Sequence, residues 1–378
     1  MPRIIDRYLL KQFIQVLVIC FFSMAGLYVV IDAFGHLDHF ADFADGHGNL
    51  LVIMAEYYGY RTLEFFDRTS GILALIGAMF TVTWIERHQE MTALLAAGIP
   101  RLRILLPVLI AAICVSLLAA ANRELVMPNV RHKLALDSKN LGGDKSADLQ
   151  PSFDSETSIL LAGDKVVPKD QIIQHPNFVM PANLTTYGKQ ISADKAQYFA
   201  AQPNRPSGYL FSGVKSPKTL LAAPSLELDG QPVVITPQDD PTLERDQVFI
   251  VSGVSFEFLA AGSTWRDFAS TSELVRELRS PSTDLGAGVR VAVHNRLLRP
   301  FLDTTLLFLG LPLIVSRANR NPFVAIGLCL AVVAVFMVVV IGCQSLGSSG
   351  WMQPALAAWL PLMIFGPMAI SMVDPLRT

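Results

Sequence analysis

The sequence predicts an α-helical integral membrane protein of six spans, with an all-β sandwich or jelly-roll domain inserted between spans three and four. Three observations carry that prediction. Of 378 residues, 52% are hydrophobic and only 16% charged, against about 25% charged in soluble domains, and mean hydropathy is +0.42. The uncharged stretches reach the roughly 20 residues that cross a bilayer. Between residues 149 and 262 the pattern changes to short apolar runs bounded by Pro, Gly, Asn and Asp. With a net charge of -2 and a pI near 6.4, the bulk electrostatics show no basic patch or stripe of the kind nucleic acid requires.

Span one is drawn at about 12–34, since Gln12 to Ile31 carries no charge. Its full bilayer length predicts a retained span and not a cleaved signal peptide. Span two, about 66–85, contains the uncharged run Thr69 to Ile85. Tyr57 to Phe66 can prolong it and supply interfacial aromatics. Span three, about 104–122, is expected to end at Asn122-Arg123-Glu124 and Met127-Pro128, because the residue before a proline disfavours helix. Span four, about 297–316, carries Asp303 near its outer end, where an ionisable group is less costly than at the midplane. No residue from Asn321 to Val373 is charged, a run too long for one crossing, and Gly347-Ser348-Ser349-Gly350 splits it into spans at about 323–345 and 353–373.

Lys and Arg accumulate on the cytoplasmic side of short loops. Arg3, Arg7, Lys11, Arg87, Arg101, Arg103, Arg317, Arg320 and Arg377 all fall on one side, whereas Leu346 to Gln353 has none. The expected arrangement is a bacterial inner-membrane protein with cytoplasmic termini, membrane halves at 1–122 and 296–378, and an outward domain at 123–295. Cys20, Cys114, Cys329 and Cys343 all lie in apolar runs. They read as packing residues, leaving the outer domain no disulfide framework.

In the middle domain Ser158 to Leu161, Lys165 to Val167, Val233 to Ile235 and Gln247 to Val251 read as short strands. Ser270 with Glu273 makes a capping box for a short helix at about 271–279. An unpaired sheet edge can accept a partner's strand; an isolated spacer domain is the other reading.

No catalytic motif is present. The pair Gly188-Lys189 is followed by Gln190 and lacks the upstream glycine of a phosphate-binding loop, so no bound ATP, cofactor or catalytic residue is expected. The stretch Gly35 to Asp42 holds His36, Asp38, His39 and Asp42, but their spacing matches no metal site. It reads as a polar interfacial loop. The segment 86–100 is more informative: Glu86, Glu90, Leu94 and Ala97 share one helix face, Arg87 and Arg101 stand near its ends, and Gly98 with Pro100 is a stop. Two readings stay open, a helix lying on the inner membrane surface or a carboxylate face that docks a cytosolic ATPase. On the other side, His294, Arg296 and Arg299 stand at the mouth of span four, with Asp303 one turn beyond. They could pair with anionic lipid head groups or serve as interfacial anchors.

Four features together resemble one family. Arg7-Tyr8-Leu9-Leu10-Lys11-Gln12-Phe13 looks like its opening, and Glu90 to Gly98 with its Ala-rich interior looks like its coupling helix. His294-Asn295-Arg296-Leu297-Leu298-Arg299-Pro300-Phe301, followed by Gly310-Leu311-Pro312-Leu313, looks like the entry to its fourth span. Three spans, a jelly roll and three more spans complete the pattern. The chain resembles the LptF/LptG permeases of the lipopolysaccharide-export ABC transporter over nearly its whole length, with Ile31-Asp32-Ala33-Phe34 leaning toward the LptG type. It departs from the pattern in having Asp32, His36 and Asp38, and no evident basic residue, at the outer end of span one.

The resemblance implies two six-span permeases on an LptB-like ATPase dimer, the partner using the ATP. It places Glu90 against a basic residue of that ATPase, with Glu86, Leu94 and Gly98 shaping the contact. It further implies an apolar cavity for a glycolipid, for which Phe22, Leu27, Phe34 and Phe336 are the expected lining, and an LptC/LptA-like jelly-roll bridge beyond the outer domain. The competing class is a non-transporting scaffold that displays a β domain for envelope assembly. A lipoprotein-release permease places its outer domain after the first of four spans, so the insert position speaks against it.

Overall fold

The computed structural model describes residues 4–134, 147–149, 151–167, 170–181, 188–202, 205–228, 230–282, 285–315 and 322–372. These form two units: one takes the chain up to Val130 and from Gly286 onward, the other Arg131–Leu285.

Among the described residues, six helices of the first unit are long and apolar enough to cross a membrane: α1 (Ile4–His47), α2 (Leu50–Arg87), α4 (Arg101–Ala121), α8 (Gly286–Val315), α9 (Pro322–Ser348) and α10 (Pro354–Ser371). A helix of about two turns, α3 (Glu90–Ala96), lies between α2 and α4, and α4 runs on through a π-helical turn at Asn122–Val126 into α5 (Met127–Leu134). With 44 residues in α1 and 38 in α2, a rise of about 1.5 Å per residue makes them roughly 66 and 57 Å long. Each is about twice the ~30 Å hydrocarbon core.

That length corrects two expectations. The stretch Gly35 to Asp42 is part of α1 and not a loop. Its polarity belongs to one side only, because Phe40 is fully buried against the rings of Tyr57 and Tyr58 of α2, at 5.2 and 5.8 Å. Nor does the chain leave the helical state at Pro128: the helix runs on from the π-helical turn through it, at the loss of the one backbone hydrogen bond that proline cannot donate. Prolines also sit inside α4 (Pro107), α8 (Pro300, Pro312) and α10 (Pro361, Pro367). Spanning helices tolerate them where the freed carbonyls can find other donors.

The core of this unit joins Leu9 and Phe13 of α1, Leu75 and Val82 of α2, Leu105 and Ala112 of α4, and Leu306 of α8. Phe336 of α9 is only 3% exposed and packs on Phe365 of α10, ring centroids 5.0 Å apart. The expected cavity-lining role of Phe336 is therefore corrected: within this chain it fills space between helices.

Among the described residues the second unit holds ten strands: β1 (Ala147–Asp148), β2 (Ser152–Phe153), β3 (Leu160–Leu161), β4 (Gly163–Val167), β5 (Ile172–Val179), β6 (Gln190–Phe199), β7 (Gly208–Ser216), β8 (Leu226–Leu228), β9 (Gln231–Ile235) and β10 (Gln247–Val251). They pair antiparallel in the order β1-β4-β5-β6-β7-β10-β9-β8, with β3 joining β2 to β5. The core takes Ile173 and Phe178 from β5, Ile191, Ala193 and Ala196 from β6, Tyr209 and Phe211 from β7, and Val248 and Ile250 from β10. Phe178 meets Tyr209 and Phe211 edge-on, at 5.6 and 4.8 Å, and the buried Tyr209 hydroxyl donates to the Val254 carbonyl at 2.9 Å. Two helices follow, α6 (Phe256–Phe268) and α7 (Thr271–Leu278). The Ser270 capping box is formed in both directions, and Arg131 of α5 bridges Glu257 of α6 and Glu273 of α7.

Candidate functional site

Three groups of residues in the membrane unit have the chemistry of a site. The first is the connection from α2 to α4. The helix α2 ends at Arg87, and Gln89 takes φ 62, ψ 9, so the chain turns before α3 begins at Glu90. Glu86 and Glu90 therefore do not share a continuous helix face, which corrects the i,i+4 reading. Glu86 and Arg87 are the last turn of α2, and Glu86 lies within electrostatic reach of Arg101. The end of α3 is a Schellman motif: Gly98 N–H donates to the Leu95 carbonyl at 2.9 Å and Ile99 N–H to Leu94 at 3.1 Å. Gly98 has φ +79, a left-handed conformation that favours glycine.

Burial decides the faces of α3. Met91 is buried, and Leu94, Leu95 and Ile99 pack against the helical core. Leu94 thus points inward, away from the contact surface expected for it. Thr92, Ala93, Ala96, Ala97 and Gly98 are left exposed, a smooth face of small side chains with Glu90 at its start. The Tyr8 hydroxyl of α1 donates to Glu90 Oε1 at 3.3 Å. Sequence reasoning missed that link, because the residues are 82 positions apart and no local spacing relates them.

The second group is a buried charge cluster that joins α2, α4 and α8. Asp67 is 4% exposed and accepts from Arg123, in the π-helical turn, and from Arg299, whose Nη1 is 3.4 Å from Oδ2. Arg299 also donates to the Asp67 carbonyl. Asp303 accepts from the Ser116 hydroxyl at 2.9 Å. Gly71 leaves the space for Asp303, since a Cβ there would overlap its carboxylate. Arg296, Arg299 and Asp303 line a small cavity of about 20 Å³. Arg299 makes its ion pair with Asp67 while Asp303 stays within electrostatic reach, because carboxylates buried among apolar helices require counter-charges. Arg296 remains half-buried at the mouth of the same cavity.

The third is the apolar outer face of α1, where Phe22, Leu27 and Phe34 are 67%, 63% and 79% exposed. Further along, Asp32 Oδ2 accepts from Tyr58 at 2.9 Å and lies near His36. No group of three metal-ligating side chains occurs among the described residues. Arg3, Arg317, Arg320 and Arg377, which entered the orientation reading, lie outside the described residues.

Compared with known families, the chain matches the model described as lipopolysaccharide export system permease LptF/LptG over residues 7–373. No match is found among curated proteins.

Proposed function

The chain belongs to the LptF/LptG permease family, and from that membership we propose that it is one of two permeases seated on a cytosolic ATPase dimer, extracting lipopolysaccharide or a similar glycolipid. As a family member with six apolar helices it is an inner-membrane transporter component and not itself an enzyme. The geometry of α3 carries the proposal. A short helix capped at its end, with a small-residue face outward and Met91 inward, is a rigid element fit to sit in a partner's groove and transmit its closure. Glu90 pairs with a basic residue of the ATPase, and Tyr8 passes the displacement on to α1. Both termini and α3 are then cytoplasmic, and the charge cluster lies toward the periplasm.

The exposed face of α1, with Phe22, Leu27 and Phe34, forms one wall of a cavity completed by the second permease. Burying acyl chains is favourable by roughly 0.8 kcal/mol per CH₂, so ejection requires that the cavity collapse. Arg296 meets the anionic head group, while Arg299 stays with Asp67. The outer domain acts as a jelly roll whose edge strands β1 and β8 extend into an LptC/LptA-like bridge. The role is of the LptG type.

The test is purification of the tagged chain from detergent extracts of its native membrane. Co-purification of a nucleotide-binding subunit and a second six-span protein, with ATPase activity lost in Glu90→Lys, supports the proposal. Intact association and activity in Glu90→Lys would overturn it.

A further inference from the structure

We infer that a groove between α1 and α4 is a binding site for one anionic phospholipid, distinct from the exported glycolipid. The groove encloses about 560 Å³. On α1 its wall is Arg7, Leu10, Ile14 and Leu17, a single stripe at helical spacing; on α4 it is Arg103, Leu106, Ile110 and Leu118. Each stripe starts with a guanidinium and continues apolar. Phe13 and Val115 close the floor, 1% and 9% exposed, while Leu10, Ile14, Leu106 and Ile110 stand 39–53% exposed as walls.

The dimensions suit one leaflet. From Arg7 to Leu17 is about 15 Å along α1, and from Arg103 to Leu118 about 22 Å along α4. Half of a ~30 Å hydrocarbon core is about 15 Å, so an acyl chain reaches from the charged end to the bilayer centre within the groove.

Charge selects the head group. Arg103 is matched by Asp6 at 3.0 Å, whereas Arg7 is exposed and has no ion-pair partner among the described residues. The mouth therefore carries one unmatched cation, and a guanidinium suits a phosphate by its forked donors. Pro107 has no N–H to give the Arg103 carbonyl, which leaves an acceptor without its usual i+4 donor at the depth of a head-group hydroxyl. Phosphatidylglycerol offers both the phosphate and the hydroxyl. Assignment to the cytoplasmic leaflet rests on the orientation proposed above; the binding does not.

The experiment uses the full chain in phosphatidylcholine nanodiscs containing a minor fraction of phosphatidylglycerol with a photoactivatable acyl chain, and maps labelled peptides by mass spectrometry. Label should concentrate on residues 10–17 and 106–118, fall on addition of unlabelled phosphatidylglycerol but not phosphatidylcholine, and drop about fivefold in Arg7→Gln. Arg7→Lys should retain most of it. Even labelling of the groove and of the exposed α9 positions Leu330, Val335, Val338 and Ile341, without head-group preference, would overturn the inference. So would unlabelled groove peptides together with chain-to-chain crosslinks through the groove cysteine Cys114, which would make it a helix interface. Neither readout depends on ATPase association, so failure here and failure of the permease reading are separable.

Discussion

Asp67 shows what a single residue can hold in this chain. It is the shared acceptor for two arginines from different helices, so Asp67→Asn breaks two buried ion pairs and leaves both cations to the more distant Asp303. Breaking a buried pair in this way destabilises by about 3–5 kcal/mol; thermal unfolding in detergent should show a lowered midpoint for Asp67→Asn. Gly71→Ala disturbs the same cluster by volume, since its methyl would displace Asp303. In the β domain, burial pushes the Tyr209 phenol well above its ordinary value, with the nearby Tyr198 and Asp154 adding to it. The folded form keeps this proton at a pH where the unfolded form releases it. Stability attributable to Tyr209 is thus constant below pH about 10 and falls as pH rises beyond that value. Denaturant titrations across pH 8 to 11 should show the added slope in the wild type and not in Tyr209→Phe.

Among elements, α3 depends most on its ends. With φ +79 and no atom within 4 Å of an added Cβ, Gly98→Ala meets backbone strain alone, of about 1 kcal/mol. Gly98→Asn, better tolerated in the left-handed region, should weaken α3 less. The order wild type, Asn, Ala should then appear in ATPase co-purification. At α7 the capping box satisfies backbone N–H groups that would otherwise lack acceptors. Ser270→Ala should cost about 1 kcal/mol, read by amide exchange of residues 271–274. The capping box was legible from Ser270 and Glu273, and the Gly98 stop from glycine followed two positions later by proline, because both are local. The continuous face from Glu86 to Ala97 was misjudged, since nothing local announces that Gln89 turns left-handed. The three longest strands, β5, β6 and β7, are hidden by Pro176 and by polar residues on the solvent face, such as those of Gln190 to Phe199.

At the scale of the molecule, the division into two units predicts two unfolding events. Phe211 is fully buried in the β core, and Phe211→Ala should destabilise that domain by about 3–5 kcal/mol. Calorimetry or limited proteolysis should then register early loss of the residues 131–285, with the helical unit's transition unmoved.

The sequence by itself determined that six helices are apolar enough to cross a membrane, that a β segment stands in the middle of the chain, and the family, because these rest on hydrophobic length, local turn chemistry and motif order, all readable along the chain. Only the tertiary structure decided that Arg299 and Arg123 share Asp67, that Leu94 and Phe336 pack inward, that Tyr8 reaches Glu90, and that α1 and α4 enclose a groove. The physical reason is common to all four. A charge or an apolar side chain is satisfied by whatever stands nearest in space, and in a bundle of helices the nearest partner is set by packing between segments far apart in sequence.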